Sequence, residues 1–117
     1  MYLLIDIGGT KTRVTATEHK EAFVEPIVFA TSHNPLEWLE MVKDASQKIL
    51  HGRKVLGIVA GVPGTFTEEG VIRTTPNLKE WQGFSLKEPL SSFFQSPPIL
   101  ENDTALVAVG EATLGAA

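Results

Sequence analysis

The 117-residue sequence predicts a single α/β domain built on a mixed β-sheet with flanking helices, in the order β-β-β-α-β-β-α-β-α. Three observations indicate this class. Short apolar runs with turn residues at their ends alternate with segments of helical periodicity. The composition, 43% hydrophobic and 21% charged, is typical of a globular chain with a core. No repeat or low-complexity segment divides residues 1–117, which are read as one domain.

The first three predicted strands surround a glycine-rich turn. Residues 2–7 form an apolar run ending in a carboxylate and two glycines, which is typical of a buried strand entering a tight turn. Polar and apolar residues alternate from Arg13 to Thr17, which predicts a second strand and hence a hairpin. A third strand is expected over 22–30, at a sheet edge or with a bulge, because it contains Pro26.

The remaining elements follow from caps and spacing. Asn34 and Pro35 predict the start of a helix, and Gly52 its end. The apolar face of this helix is expected to comprise Leu36, Leu39, Val42, Ala45 and Ile49. Further elements are expected as strands at 54–60 and 71–75, a weaker helix at 85–95 and a short strand at 99–100. Asn102 and Asp103 are expected to cap a final alanine-rich helix.

Composition excludes several classes of protein. The chain has no cysteine, which rules out a disulfide scaffold and a thiolate zinc site and fits a cytoplasmic location. Its net charge of -4 and the lack of a Lys/Arg cluster argue against a nucleic-acid partner. No apolar run approaches the ~20 residues of a membrane span, and the first residues do not resemble a signal peptide. The three histidines lack metal-ligand spacing and are expected at the surface.

The most informative stretch is the glycine-rich turn, Asp6-Ile7-Gly8-Gly9-Thr10-Lys11-Thr12. Adjacent glycines let backbone N–H groups approach an anion, Thr10 adds a hydroxyl donor and Lys11 adds a positive charge. A P-loop or a dinucleotide fingerprint would need glycines at other positions and a helix after the turn. A plain hairpin turn is the alternative, although burying Asp6 is costly unless it holds a metal, a water or a turn N–H.

Asn102-Asp103 has two compatible interpretations. One is structural, an N-cap whose side-chain oxygen accepts the first free N–H groups of a helix. The other is functional, a carboxylate that orients a substrate hydroxyl and accepts its proton, with a neighbouring amide that holds the substrate. Asn102 can act as the cap while Asp103 faces a cleft.

These segments together resemble the ROK family of bacterial glucokinases and related hexose kinases, whose lobes have the ribonuclease H-like, actin-like ATPase fold. Gly61-Val62-Pro63-Gly64 and Thr75-Pro76-Asn77-Leu78 followed by Trp81 are similar to the sugar-pocket segments of that family, in the same order. The resemblance implies that Asp6 holds Mg²⁺ through water, and that the ATP phosphates are faced by Gly8, Gly9, Thr10 and Lys11. It implies that Asp103 is the catalytic base, and that the sugar is contacted by Gly64, Asn77, Asn102 and Asp103. From the residues alone, Pro63-Gly64 also reads as a simple turn and Trp81 as a core residue.

The function that the resemblance implies is ATP-dependent phosphorylation of a hexose at its 6-hydroxyl, with glucose as the first candidate. Because a second lobe completes both pockets in that family, residues 1–117 are expected to be an N-terminal lobe and inactive when isolated. Three alternatives stay open: a non-catalytic sugar-binding module, a pairing module, or a kinase for N-acetylhexosamine, fructose or pantothenate. A homodimer also stays open, whereas no membrane or nucleic-acid partner is expected.

Overall fold

A computed structural model describes residues 1–19 and 22–102 of the chain. The strands are β1 (Tyr2–Ile7), β2 (Lys11–His19), β3 (Ala22–Phe23), β4 (Ile27–Ala30), β5 (Gly57–Val62), β6 (Thr65–Phe66), β7 (Ile72–Thr74) and β8 (Pro98–Asn102). The helices are α1 (Pro35–Leu50) and α2 (Lys87–Phe94), with a 3₁₀ turn at Lys79–Trp81. The predicted α/β class with a mixed sheet is confirmed.

The main sheet has the strand order β3-β2-β1-β5-β8, and β4 also pairs with β2. Strands β1 and β2 form the antiparallel hairpin that the sequence predicts, whereas β1, β5 and β8 run parallel to one another. Asp6 is in register with Gly61, and Gly61 is in register with Glu101. The carboxyl ends of three strands therefore meet at one edge of the sheet, the usual location of ligands in α/β folds.

Helix α1 begins at the cap that the sequence indicates. The Asn34 side chain accepts hydrogen bonds from two N–H groups of the first turn, and the nearer one is that of Leu36 at 3.0 Å. After the last helical residue, His51 and Gly52 have positive φ values of 49° and 81°. The predicted apolar face is wrong at Leu36, which is 65% exposed, because the fully buried Trp38 occupies the inward position instead.

Several predicted boundaries are corrected by the structure. The strand expected over 22–30 is divided into β3 and β4 around Pro26, whose nitrogen cannot donate to the ladder. The strand expected at 54–60 lies at 57–62, and that expected at 71–75 pairs with β6, which the local sequence does not indicate. Helix α2 is shorter than the predicted 85–95, and β8 is longer than 99–100. The final helix expected after Asn102 lies outside the described residues.

The hydrophobic core joins one face of the sheet to α1 and to the segment that contains the 3₁₀ turn and α2. Its largest fully buried side chains include Leu3, Ile5, Ile7, Trp38, Val42, Ile58, Leu78, Trp81, Leu86 and Leu90. Residues 14–17 of β2 are buried on both faces of the sheet, because Thr15 and Thr17 are covered although alternation predicts them to be exposed. Their hydroxyls donate to the carbonyl oxygens of Val24 and Ala22, which lowers the cost of burying them. Neither helix of this described region has the length and apolar character needed to cross a membrane.

Candidate functional site

The glycine turn (residues 8–10) joins β1 to β2 at the edge where the parallel strands end. The N–H of Gly8 donates to the carbonyl oxygen of Lys11 at 2.8 Å, and a Cβ at residue 8 would lie 2.8 Å from that oxygen. Glycine is therefore required for the turn to close. Within the residues that the structure describes, the N–H groups of Gly9 and Thr10 have no acceptor. With the exposed side chains of Thr10 and Lys11, the turn presents the donors that an anion needs.

Residues 74–77 pack against two glycines that belong to different loops. A Cβ at Gly9 would lie 3.4 Å from Asn77 Nδ2, and a Cβ at Gly64 would lie 1.9 Å from the carbonyl oxygen of Thr74. Asn77 is exposed and has a left-handed backbone with φ 65°. The structure thus brings three predicted site residues, Gly9, Gly64 and Asn77, together through one short segment. Gly64 also has a packing reason to be glycine, which its place in a turn did not predict.

Asp6 is half-buried at the end of β1 and belongs to a charged row that crosses the sheet. Arg13, Asp6, Gly61 and Glu101 are successive partners in register. Partners in register project from the same face of a sheet, so the bare Gly61 separates the two carboxylates. Two strand spacings place the strands of Asp6 and Glu101 roughly 9.6 Å apart. This row supplies charges of both signs directly behind the glycine turn.

Asn102 ends β8 at the same edge of the sheet. It is exposed and is in register with Val62, two residues before Gly64. The predicted base, Asp103, follows it and lies outside the described residues, as does the helix that these two residues are expected to cap. The role of Asp103 accordingly remains a prediction.

A buried hydrogen-bond network holds the strand that leaves the glycine turn. The indole Nε1 of Trp38 donates to Thr12 Oγ1 at 3.0 Å, and that hydroxyl lies 2.8 Å from Thr31 Oγ1. The N–H of Thr31 in turn donates to the carbonyl oxygen of Thr10 at 2.9 Å. Sequence reasoning missed this network, because its members are 19 and 26 residues apart and no local pattern connects them.

Trp81 is fully buried, which confirms its interpretation as a core residue rather than a platform for a sugar ring. Its Nε1 donates to the carbonyl oxygen of Ser32 at 2.9 Å. The ring packs edge-to-face against Trp38, with 4.9 Å between the ring centroids. The indole pair therefore lies between the helix that supports the glycine turn and the segment that carries Asn77.

A histidine–glutamate pair lies at the surface beside these tryptophans. His33 Nδ1 is 3.3 Å from Glu80 Oε1. A backbone hydrogen bond at Glu80, followed by the hydrogen bond with His33, holds the pKa of the Glu80 carboxyl below its usual value. His33 and His51 are exposed as predicted, whereas the side chain of His19 lies outside the described part of the chain.

The mixed sheet, with its glycine turn and converging strand ends, places the chain in the class of actin-like ATPase folds. Its structural neighbours are sugar kinases of that fold. The model of the ROK family matches residues 2–117, and the chain belongs to that family. The glucokinase of Thermotoga maritima is 23% identical over 115 residues, covering 96% of this chain and 36% of that protein.

Two solved structures extend the comparison. A ROK family glucokinase from Streptomyces griseus, in complex with glucose and AMPPNP, has a TM-score of 0.80 and 23% identity, covering 97% of this chain and 36% of that one. The ROK hexokinase from Thermus thermophilus has a TM-score of 0.74 and 26% identity, covering 97% of this chain and 38% of that one. The chain thus spans little more than a third of the length of these relatives.

Proposed function

We propose that this chain is the N-terminal lobe of a two-lobed kinase that transfers the γ-phosphate of ATP to the 6-hydroxyl of a hexose, with glucose as the first candidate. The observation that carries the proposal is the meeting of the glycine turn, residues 74–77 and the end of β8 at one sheet edge. Membership of the ROK family supports sugar phosphorylation. The glucose and AMPPNP bound to the Streptomyces griseus relative support the choice of both substrates.

The glycine turn would bind the phosphates of ATP. Gly9 and Thr10 offer backbone N–H groups, Thr10 adds its hydroxyl and Lys11 its ammonium group. The N–H of Gly8 is engaged with Lys11, so Gly8 contributes by closing the turn and by leaving the surface free of a side chain. Such preorganised donors favour a bound triphosphate because they need no rearrangement when it arrives.

Asp6 fits a role in holding Mg²⁺ through water. In residues 1–19 and 22–102, no three His, Cys, Asp or Glu side chains converge to form a cation site by themselves. Mg²⁺ commonly keeps several waters and binds one or two carboxylates together with substrate phosphates, which suits a half-buried carboxylate beside a phosphate turn. The bound ion would neutralise charge on the phosphates. Asp6 would accept hydrogen bonds from the water of the ion and so fix its position.

The sugar would lie between Asn77 and the end of β8. Asn77 presents an exposed amide with both a donor and an acceptor, which suits a pair of sugar hydroxyls. Asn102 adds a second amide, and Gly64 contributes through its backbone because Thr74 fills its side-chain position. Asp103 would orient the 6-hydroxyl and accept its proton late in the transfer.

A coupled kinase assay with ATP and Mg²⁺ across a panel of hexoses tests the proposal on the complete protein in which these residues occur. Glucose is expected to be phosphorylated. Asp103→Asn is expected to keep sugar binding and to lower kcat by about 10² or more, because the amide cannot accept the proton. Asparagine also serves as an N-cap, so this variant preserves the other role of residue 103. Turnover close to that of the wild type would exclude Asp103 as the base.

A second candidate function is a non-catalytic module that binds sugar or pairs with another chain. Such a module would bind with the groups of these residues alone, which cover 36% of the Thermotoga maritima glucokinase. Calorimetry of the 117-residue chain with glucose and with Mg-ATP separates the two functions. Phosphate transfer by this chain alone would refute the non-catalytic candidate. The same hexose panel, extended to N-acetylhexosamines, fructose and pantothenate, distinguishes the related kinases.

A further inference from the structure

Two separate contacts connect the glycine turn to the segment that carries Asn77. The first is direct, because Gly9 and Asn77 are neighbours. A Cβ at residue 9 would lie 3.4 Å from Asn77 Nδ2. The second runs through the core, where the rings of Trp38 and Trp81 lie 4.9 Å apart. Both tryptophans are fully buried, and they are the only tryptophans of the chain.

The indole N–H of each tryptophan donates a hydrogen bond, one on the side of the glycine turn and the other on the side of the segment that carries Asn77. Trp38 donates its N–H to Thr12, the residue in register with the end of β1 across the hairpin. Trp81 donates its N–H to Ser32, and its backbone N–H donates to Leu78, which follows Asn77 directly. Since an indole has a single N–H, neither ring can turn without leaving a buried donor unpaired. A shift at one ring must therefore be passed to the other.

We propose that Trp38 and Trp81 are positioning residues that hold the phosphate-binding turn and the sugar-binding Asn77 in one fixed relation. This inference rests on the proposed kinase function and deepens it, because nothing in the resemblance assigns a role to Trp38. The edge-to-face pair joins the two subsites, and the small residue at position 9 lets them touch. The phosphate donor and the sugar are then aligned by the same pair of rings.

The test measures KM for ATP and KM for the sugar in the complete protein. Each tryptophan variant is expected to show a crossed effect, which means that it changes the constant of the more distant substrate as well as that of the nearer one. Trp81→Phe loses a hydrogen bond on the sugar side and is expected to raise KM for ATP as well as KM for the sugar. Trp38→Phe loses one on the phosphate side and is expected to raise KM for the sugar as well as KM for ATP. Each rise is expected to be about threefold to tenfold, the size of one lost net hydrogen bond.

Ile49→Val is the matched control, because Ile49 is 8% exposed in the core at the opposite end of α1. It is expected to lower Tm while leaving both Michaelis constants within twofold of the wild type. A change in KM confined to the ligand beside each substituted tryptophan would overturn the inference. A lower Tm with both constants unchanged would also overturn it.

A second pair of variants keeps the test decisive if the tryptophan variants fail to fold. Thr12→Val removes the acceptor of the Trp38 N–H, whereas Thr12→Ser keeps a hydroxyl at the same place. Thr12→Val is expected to reproduce the crossed rise in KM, and Thr12→Ser to restore both constants most of the way. Equal constants in the two variants would show that this hydrogen bond positions nothing.

Near-ultraviolet circular dichroism of the 117-residue chain detects the packing of the two indole rings without an activity assay. The summed signals of the wild type and the double variant are expected to differ from the summed signals of Trp38→Phe and Trp81→Phe, because the rings couple at 4.9 Å. Equality of the two sums overturns the pairing itself. If the pairing is present but the complete protein phosphorylates no hexose, the proposed function fails, and the positioning role fails with it.

Discussion

Gly64→Ala is expected to be strongly destabilising, because the backbone around β7 occupies the space that a side chain would need. A Cβ at residue 64 would lie 1.9 Å from the Thr74 carbonyl oxygen and 3.0 Å from Thr75 Cα. Ordinary contacts begin near 3.4 Å, so the two backbones must separate by about 1.5 Å, the difference between 3.4 and 1.9 Å. No side-chain rotation relieves this clash, because the backbone fixes the position of a Cβ and the opposing atoms belong to the backbone. Overpacking commonly costs about 1–3 kcal/mol, and this clash is expected at about 3 kcal/mol or above.

Urea unfolding of the 117-residue chain measures this loss, and a thermal scan is expected to show Tm lower by about 12 °C. The control is Gly83→Ala, because Gly83 has φ 85° and nothing within 4 Å of its side-chain position. That variant carries only backbone strain, expected at about 1 kcal/mol. In the complete protein, if it is the hexose kinase that we propose, Gly64→Ala should also raise KM for the sugar by displacing residues 74–77. Equal losses of stability in the two alanine variants would refute the steric reasoning.

The helix cap and the surface carboxylate give two further predictions. Asn34→Ala is expected to cost about 1 kcal/mol in urea unfolding, and Asn34→Ser much less, because serine restores an acceptor for the first turn. The pKa of Glu80 is lowered in the folded chain, so its carboxylate contributes stability above the ordinary value of 4.5, and this is lost as the pH falls through the folded pKa. The Tm advantage of the wild type over Glu80→Gln should therefore be present at neutral pH and vanish in acid; an advantage that grows in acid would contradict it.

Helix α1 shows which features of a helix the neighbouring residues in the sequence predict and which they do not. Its N-cap depends on hydrogen bonds within three residues, so Asn34 and Pro35 were sufficient to predict where the helix begins. Its inward face is harder to predict, because Leu36 lies three residues before Leu39 and Trp38 lies four residues before Val42, and both spacings are helical. The sheet selects Trp38, since its indole N–H finds a buried acceptor in Thr12. Leu36 is left in solvent at the first turn.

In the candidate site, too, some features are predictable from the local sequence and others depend on tertiary packing. The sequence is sufficient to propose Asp6, Gly8, Gly9 and Lys11 as part of a phosphate-binding turn, because their chemistry is contained in one stretch of chain. That Asn77 would lie against Gly9 was not predictable from either segment. Strand β6 was missed for a related reason, because two residues carry no periodicity and acquire their structure by pairing with β7.

The sequence by itself determined the α/β class, the first hairpin, the cap of α1 and the residue types of the glycine turn, because each depends on neighbours a few positions away. Only the tertiary structure decided the parallel order of β1, β5 and β8, the passage of residues 74–77 across two glycines, and the contact between Trp38 and Trp81. Strand order and ring packing depend on which distant surfaces exclude water together, and no local hydrogen bond or spacing encodes that choice.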